Sequence, residues 1–252
     1  MFVKFLLGFV VIINLTVEIA ALTELPSHFP RCRRSDPKME ECLINATEYV
    51  RPYVREGIPD FLPPIKEFIV PEVTIDQKGS RAYNFKVHIT NMSIFGMDQY
   101  KFKRYVFHPD KPMFSFIDVD LPQMSINGTY DLKGNLFFAT LNGHGIIFAN
   151  ISDSNCKCNY TLEERLKNGV SYVHASKISA KMRIGNITDY GLTGLFKESK
   201  ELEFLTNDIF KKNVNALVDE ITPAIESVVT VFLDKIIAQG IEKIPYDKVY
   251  PK

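Results

Sequence analysis

The cysteines, histidines and paired carboxylates are the residues through which this chain could do chemistry, and their spacing limits what that chemistry can be. Cys32 and Cys42 stand ten positions apart in PRCRRSDPKMEECL, among Arg31, Arg33 and Arg34, a Ser-Asp-Pro turn and two glutamates. Such a pair could be a reactive site, a metal clip or a staple. Cys156 and Cys158 form a Cys-x-Cys pair. On a strand both would face one side, with Asn155, Lys157 and Asn159 on the other. Pairing i with i+2 directly is awkward, because the two alpha carbons sit near the upper limit for a disulfide. A strained disulfide, two buried thiols and an intermolecular link all stay open for them. Four cysteines allow three complete pairings; Cys32–Cys42, closing a short local loop, is the favoured one.

Catalysis finds little support. The histidines, His28, His88, His108, His144 and His174, are scattered, and none has a His or Cys at metal-ligand spacing. Asp118 and Asp120 share a strand face, which for two carboxylates is ordinarily a solvated face. HExxH, GxSxG and GxxxxGK are absent. Asn142-Gly-His-Gly145 reads as a turn, far short of a dinucleotide fingerprint. We therefore expect no catalytic residues, no metal, no cofactor and no enzyme activity.

The elements that would position these residues fall into three periodicities. Pro37 to about Arg55 reads as a helix with Asp36 as N-cap, Pro37 in the first helical position and Glu40 and Glu41 in the first turn. Leu43, Ala46, Val50 and Val54 fall on one face. Residues 57–75 hold four prolines and read as an extended, turning connection. From Tyr83 to about Ile187 the period becomes two. Phe85, Val87 and Ile89 alternate with Asn84, Lys86 and His88; Ile117, Val119 and Leu121 with Asp118 and Asp120; Met124, Ile126 and Tyr130 with Ser125, Asn127 and Thr129. Turns are expected at Pro122, at 132–135 and at Asn142-Gly143. Phe148 shares parity with Asn150, which suggests a bulge or a face covered by another element.

After Thr206 a stripe at helical spacing runs through Phe210, Val214, Leu217, Ile221, Ile225, Val228, Phe232 and Ile236. A helix over Asp208 to about Ile241 would be roughly 50 Å long, with a kink or break near Asp219 caused by Pro223. A helix this long and apolar needs a cover, and the meander is the candidate. The expected class is α+β: a long antiparallel sheet covering a long C-terminal helix, the two supplying an elongated apolar interior. The residues expected to line it are Phe85, Val87, Ile89, Ile117, Val119, Ile126, Tyr130, Phe210, Leu217, Ile221, Ile225, Val228 and Phe232. A Tyr83 or Tyr130 hydroxyl could orient a polar group of a ligand, although a core or rim role is the commoner one.

The compartment follows from the N-terminus. Lys4 and an apolar run from Phe5 to about Leu15, then Ala20-Ala21, read as a secretory signal over residues 1–21, leaving one domain over residues 22–252. No later segment is apolar over 18 residues, so no integral membrane segment is expected after cleavage. Sequons at Asn45, Asn91, Asn127, Asn150, Asn159 and Asn186 are candidate glycan sites on a secreted, extracellular chain; a seventh, Asn14, lies within the signal. Lys+Arg and Asp+Glu both total 30, which gives no electrostatic case for nucleic acid, and Arg31, Arg33 and Arg34 read as solvated surface.

RCRRSDPKMEECL, YVRPYVREGIPDF, PPIKEFIVPEVTI and the terminal IPYDKVYP, with GTYDLKGNL and GLFKESKELEFLTNDIF between them, resemble the takeout and juvenile-hormone-binding proteins of insects. The resemblance covers the whole chain after the signal. It implies the tubular lipid-binding fold, a curled antiparallel β-sheet wrapped around a long C-terminal α-helix and enclosing an apolar channel, together with secretion, a disulfide at Cys32 and Cys42, and carriage of juvenile hormone or related terpenoid and fatty ligands. It also implies circadian, feeding or chemosensory physiology. The Cys156/Cys158 pair departs from the single N-terminal disulfide usual in takeout members. The leading expectation is a monomeric secreted carrier of a small hydrophobic ligand. The alternatives are a secreted signalling or interaction glycoprotein acting through its surface on an unknown receptor, and a secreted hydrolase of lipid esters.

Overall fold

The computed structural model of the chain describes residues 24–59, 62–78, 83–110, 113–136, 139–196 and 200–252. The expected signal, with Asn14, lies outside them. Helix α1 (Met39–Glu56) is followed by seven strands: β1 (Glu67–Lys78), β2 (Tyr83–Phe95), β3 (Lys101–His108), β4 (Met113–Leu136), β5 (Ala139–Lys167), β6 (Val170–Arg183) and β7 (Asn186–Leu192). Helices α2 (Lys200–Lys212), α3 (Val214–Gln239) and the short α4 (Tyr246–Val249) complete the chain. All strand pairs are antiparallel, in the order β1-β2-β4-β5-β6. β3 continues the lane of β2 along β4, and β7 continues the lane of β6 along β5.

The period-two pattern lands as its parity requires. Phe85, Val87, Ile89, Tyr130 and Leu132 are buried on the inner face, while Asn84, Lys86 and Asn127 are exposed on the outer one. The sheet is nevertheless far more continuous than expected. Pro122 and residues 132–135 lie inside β4, and Asn142-Gly143 inside β5. Proline is tolerated in β4 because Pro122 sits where the neighbouring lane changes from β2 to β3, so no ladder bond is forfeited there. Gly143 is a site of close approach: a Cβ there would meet Leu195 Cα at 2.8 Å. The actual β5–β6 turn is Asn168-Gly169, both at positive φ, as a two-residue hairpin demands. The bulge expected beside Phe148 is present, since the β5–β7 pairing shifts between Phe148 and Asn150.

One level across the sheet is irregular in every inner lane. Gly96 (φ 84°) ends β2, Pro122 lies in β4, Asp153 (φ 57°) in β5, and Gly185 separates β6 from β7. A Cβ on Gly96 would fall 2.3 Å from the Gln123 carbonyl oxygen, and one on Gly185 would fall 2.0 Å from that of Ser152. Backbone strands touch here with no room for a side chain.

Three further expectations are corrected. The first helix begins at Met39, because the Asp36 carboxylate takes the Lys38 N–H (2.8 Å) and its carbonyl takes that of Met39, forming a turn before the helix. The connection over 57–75 contains β1 from Glu67 onward; Pro71 is accepted because β1 is an edge strand, and it faces Asn91, itself at φ 49° and outside the ladder. The long helix starts earlier, at Lys200, and breaks at Asn213, where the Asn213 amide caps the Ile209 carbonyl (2.8 Å). Pro223 is absorbed inside α3 without a break.

The disulfide Cys32–Cys42 is formed. It belongs to a buried cluster with Met39, Leu43, Phe107, Tyr160, Ile244, Tyr246 and Tyr250 that fills one end of the sheet. Arg31 and Arg34 are not the solvated surface expected. Arg31 donates to the Lys248 carbonyl, while Arg34 pairs with Asp247 and lies 4.4 Å over the Tyr246 ring. The C-terminal segment supplies the carbonyls and carboxylate that hold them. This end is a plug, stapled from both termini. Replacing both cysteines by serine removes a closure over ten residues, worth about 2.5 kcal/mol in the chain-entropy description. Urea unfolding of C32S/C42S should show a midpoint lowered accordingly; an unchanged midpoint would remove the staple from the fold's stability.

Candidate functional site

Away from the plug, the interior opens sideways. A cavity of about 1100 Å³ lies between the edge strand β1, the proline-rich connector before it and the outer flank of α3. Phe68, Val70 and Val73 form the strand wall, Val228, Phe232 and Ile236 the helix wall, and Ile58, Leu62 and Pro64 the connector wall. Phe68 and Phe232 meet across it edge to face, with ring centroids 4.3 Å apart. Ile69 (57% exposed) and Val231 (54%) flank the mouth, so apolar surface reaches solvent at this seam. The rim carries Glu56, Glu72, Ser227 and Lys243, which mix both charge signs. The seam exists because α3 packs closely along β6 and touches β1 at few points.

The expected lining set divides among three places. Phe85, Val87, Ile89, Tyr130, Phe210, Leu217 and Ile221 come together in one packed cluster with Leu132, Leu141 and Leu195, at the end occupied by α2. Ile117 and Val119 pack beside Cys156 and Cys158 under Val229 and Leu233 at mid-length. Val228 and Phe232 border the cavity. Ile126 and Ile225 are half-buried and do not border it. The β1 wall was not expected from sequence, because Pro71 masks the alternation of Phe68 and Val70.

Tyr130 is fully buried and its hydroxyl donates to the Thr193 carbonyl at 3.0 Å, tying β4 to the chain after β7. That bond commits the hydroxyl to the wall. The side chain of Tyr83 lies outside the described residues. The histidines stay apart: His28 packs on Phe29 and Tyr53, His108 on Phe114, His88 meets Thr74, His144 meets Asp131, and His174 meets Glu242. Among the described residues no three His, Cys, Asp or Glu side chains gather where a metal could sit. Asp118 and Asp120 are bridged by the Asn155 amide (2.7 and 2.9 Å). The hydrogen bond from Lys103 holds the Asp120 carboxyl below the usual range. The arrangement is a structural polar tie on the outer face.

Of the sequon asparagines, Asn45, Asn91, Asn127, Asn159 and Asn186 are exposed, whereas Asn150 is half-buried with its amide 3.4 Å from Asp189.

The model of the haemolymph juvenile hormone binding protein family matches residues 9–251. The circadian clock-controlled protein daywake of Drosophila melanogaster is 21% identical over 244 residues, covering 93% of this chain and 92% of that protein. The protein of the same name from Drosophila yakuba is 22% identical over 242 residues, covering 92% and 91%. The crystal structure of Takeout 1 from Epiphyas postvittana superposes with a TM-score of 0.76 at 16% identity, over 88% of this chain and 100% of that one, and so shares the fold.

The buried tyrosines supply a test of how tightly the walls are sealed. Burial, the largest cause, raises Tyr100 and Tyr130 from 10.0 to about 12. The unfolded chain ionises near pH 10 and the folded one only near 12, so stability is complete below pH 10 and falls as pH rises towards 12. Unfolding followed by circular dichroism should weaken across that window, and less steeply in Tyr130→Phe; a flat response would contradict the burial.

Proposed function

The chain belongs to the haemolymph juvenile hormone binding protein family, and on that premise we propose that it is a carrier that sequesters a small hydrophobic ligand reversibly, without catalysis. The observation that carries this reading is the apolar cavity between β1 and α3. Its aliphatic and aromatic walls suit a terpenoid or fatty compound, and its mixed rim favours no strongly charged ligand. A ligand burying about 400 Å² of apolar surface gains on the order of 10 kcal/mol. Association and ordering cost several kcal/mol of that, which leaves micromolar to nanomolar affinity. In this reading Val228 and Phe232 touch the ligand. Phe85, Val87, Ile89, Ile117, Val119, Ile126, Tyr130, Phe210, Leu217, Ile221 and Ile225 shape the walls behind it.

The chain works outside the cell once residues 1–21 are removed, as a monomer, and its glycans sit on the exposed asparagines. The daywake relatives are described as circadian clock-controlled; a carrier whose abundance follows the clock would set the free concentration of its ligand over the day.

Native mass spectrometry of the protein from its own source, followed by lipid extraction, should reveal one bound apolar compound, recovered chemically intact. No ligand, together with no uptake of any terpenoid or fatty probe, would overturn the carrier reading; steady product release from an ester probe would replace it with hydrolysis. Val228→Phe narrows the cavity and should weaken a fluorescent fatty probe at least tenfold at unchanged circular dichroism. On secretion from insect cells, Asn45, Asn91, Asn127, Asn159 and Asn186 should carry glycan in peptide maps, and Asn150 should not.

A further inference from the structure

Cys156 and Cys158 are the chemistry-bearing residues that ligand carriage leaves unused. They lie on the inner face of β5, between Val119 and Ile117 of β4 and Met182 and Ala180 of β6. Val229 and Leu233 of α3 cover them. Both are free thiols, each 4% exposed, and their Sγ atoms are 3.3 Å apart. In a regular strand, side chains at i and i+2 stand roughly 7 Å apart, so these two lean towards each other into direct sulfur contact. A disulfide needs about 2.05 Å, little more than 1 Å of further approach.

The two thiols are also unequal. The two sulfurs share a hydrogen bond, which draws the Cys156 thiol down against burial and the nearby Glu226 and Asp118 carboxylates. The same hydrogen bond, with burial, pushes Cys158 well up. A groove of about 320 Å³, bordered by Met182, Thr222, Pro223 and Glu226, opens between β6 and α3 one residue away from the pair, since Met182 is the cross-strand neighbour of Cys156.

We propose that Cys156 and Cys158 are a disulfide-forming pair, closed by a low-molecular-weight disulfide into a ring over the single residue Lys157. The Cys156 thiolate attacks one sulfur of the oxidant and expels the first thiolate. Cys158 gives its proton to that thiolate and attacks the Cys156 sulfur of the mixed disulfide, expelling the second, which takes up the proton Cys156 released. Two protein thiols are oxidised, one small disulfide is reduced, and two small thiols leave. The bond would form directly beneath Val229 and Leu233, where α3 packs on the pair.

The test uses the purified full chain with glutathione disulfide as the probe oxidant, followed by acid quench, denaturation, alkylation with N-ethylmaleimide and peptide mapping. The expected result is a peptide spanning Cys156 and Cys158 that is lighter by two hydrogens and takes no maleimide, reversed by dithiothreitol. Cys158→Ser should stop at one glutathionyl group on Cys156, with Cys158→Ala as the second variant should serine disturb folding. Full alkylation of both cysteines at every glutathione ratio, in chains oxidised when folded and in chains refolded in the oxidant, would overturn the proposal. A bridge to another chain, or stable glutathionylation of both sites, would overturn it equally.

Discussion

The fold depends on one requirement: a sheet whose inner face is apolar must be covered, and along its middle α3 is the cover. α3 carries apolar side chains on most of its circumference and spans about 39 Å at 1.5 Å per residue. It meets that requirement unevenly. Packed along β6, it closes that flank except for a small groove beside Met182 and Glu226, and the opposite flank, at the edge strand β1, is left with a wider seam. The cavity is that seam. An interior fully satisfied by its own helix would have no room for a guest, so the lopsided seat of α3 is what makes carriage physically available.

The ends of the sheet are closed by different means. At one end Cys32–Cys42, the arginines of the N-terminal stretch and the C-terminal tyrosines make a plug in which the two chain termini hold each other. At the other, Phe210 and Leu217 fill the space beneath Phe85, Val87 and Tyr130. With both ends packed, the larger opening among the described residues lies at the side, between Ile69 and Val231.

Parity was legible in the sequence and punctuation was not. Phe85-Val87-Ile89 and Ile117-Val119 announced their inner face because alternation is a local property. Pro71, Pro122, residues 132–135 and Asn142-Gly143 misled because their local meaning is a turn, while their actual setting is an edge, a change of neighbouring lane or a close backbone approach. Those settings depend on strands distant in sequence. The break at Asn213 rather than near Asp219 follows the same logic: an amide capping Ile209 ends a helix that Pro223 alone does not. The cavity wall contributed by β1 was hidden by the one proline that an edge strand tolerates.

The irregular level formed by Gly96, Pro122, Asp153 and Gly185 bears on how so long a sheet avoids misassembly. Two strands of 24 and 29 residues could slide past one another by a step and still bond, yet a single step would turn every apolar side chain outward. A fixed discontinuity part-way along acts as an alignment mark. A slip of β2 along β4, or of the β6–β7 link along β5, would bring the Gln123 or Ser152 carbonyl against a residue that carries a Cβ. The defects fix the register at mid-length, dividing one long zipper into two shorter ones that share an alignment.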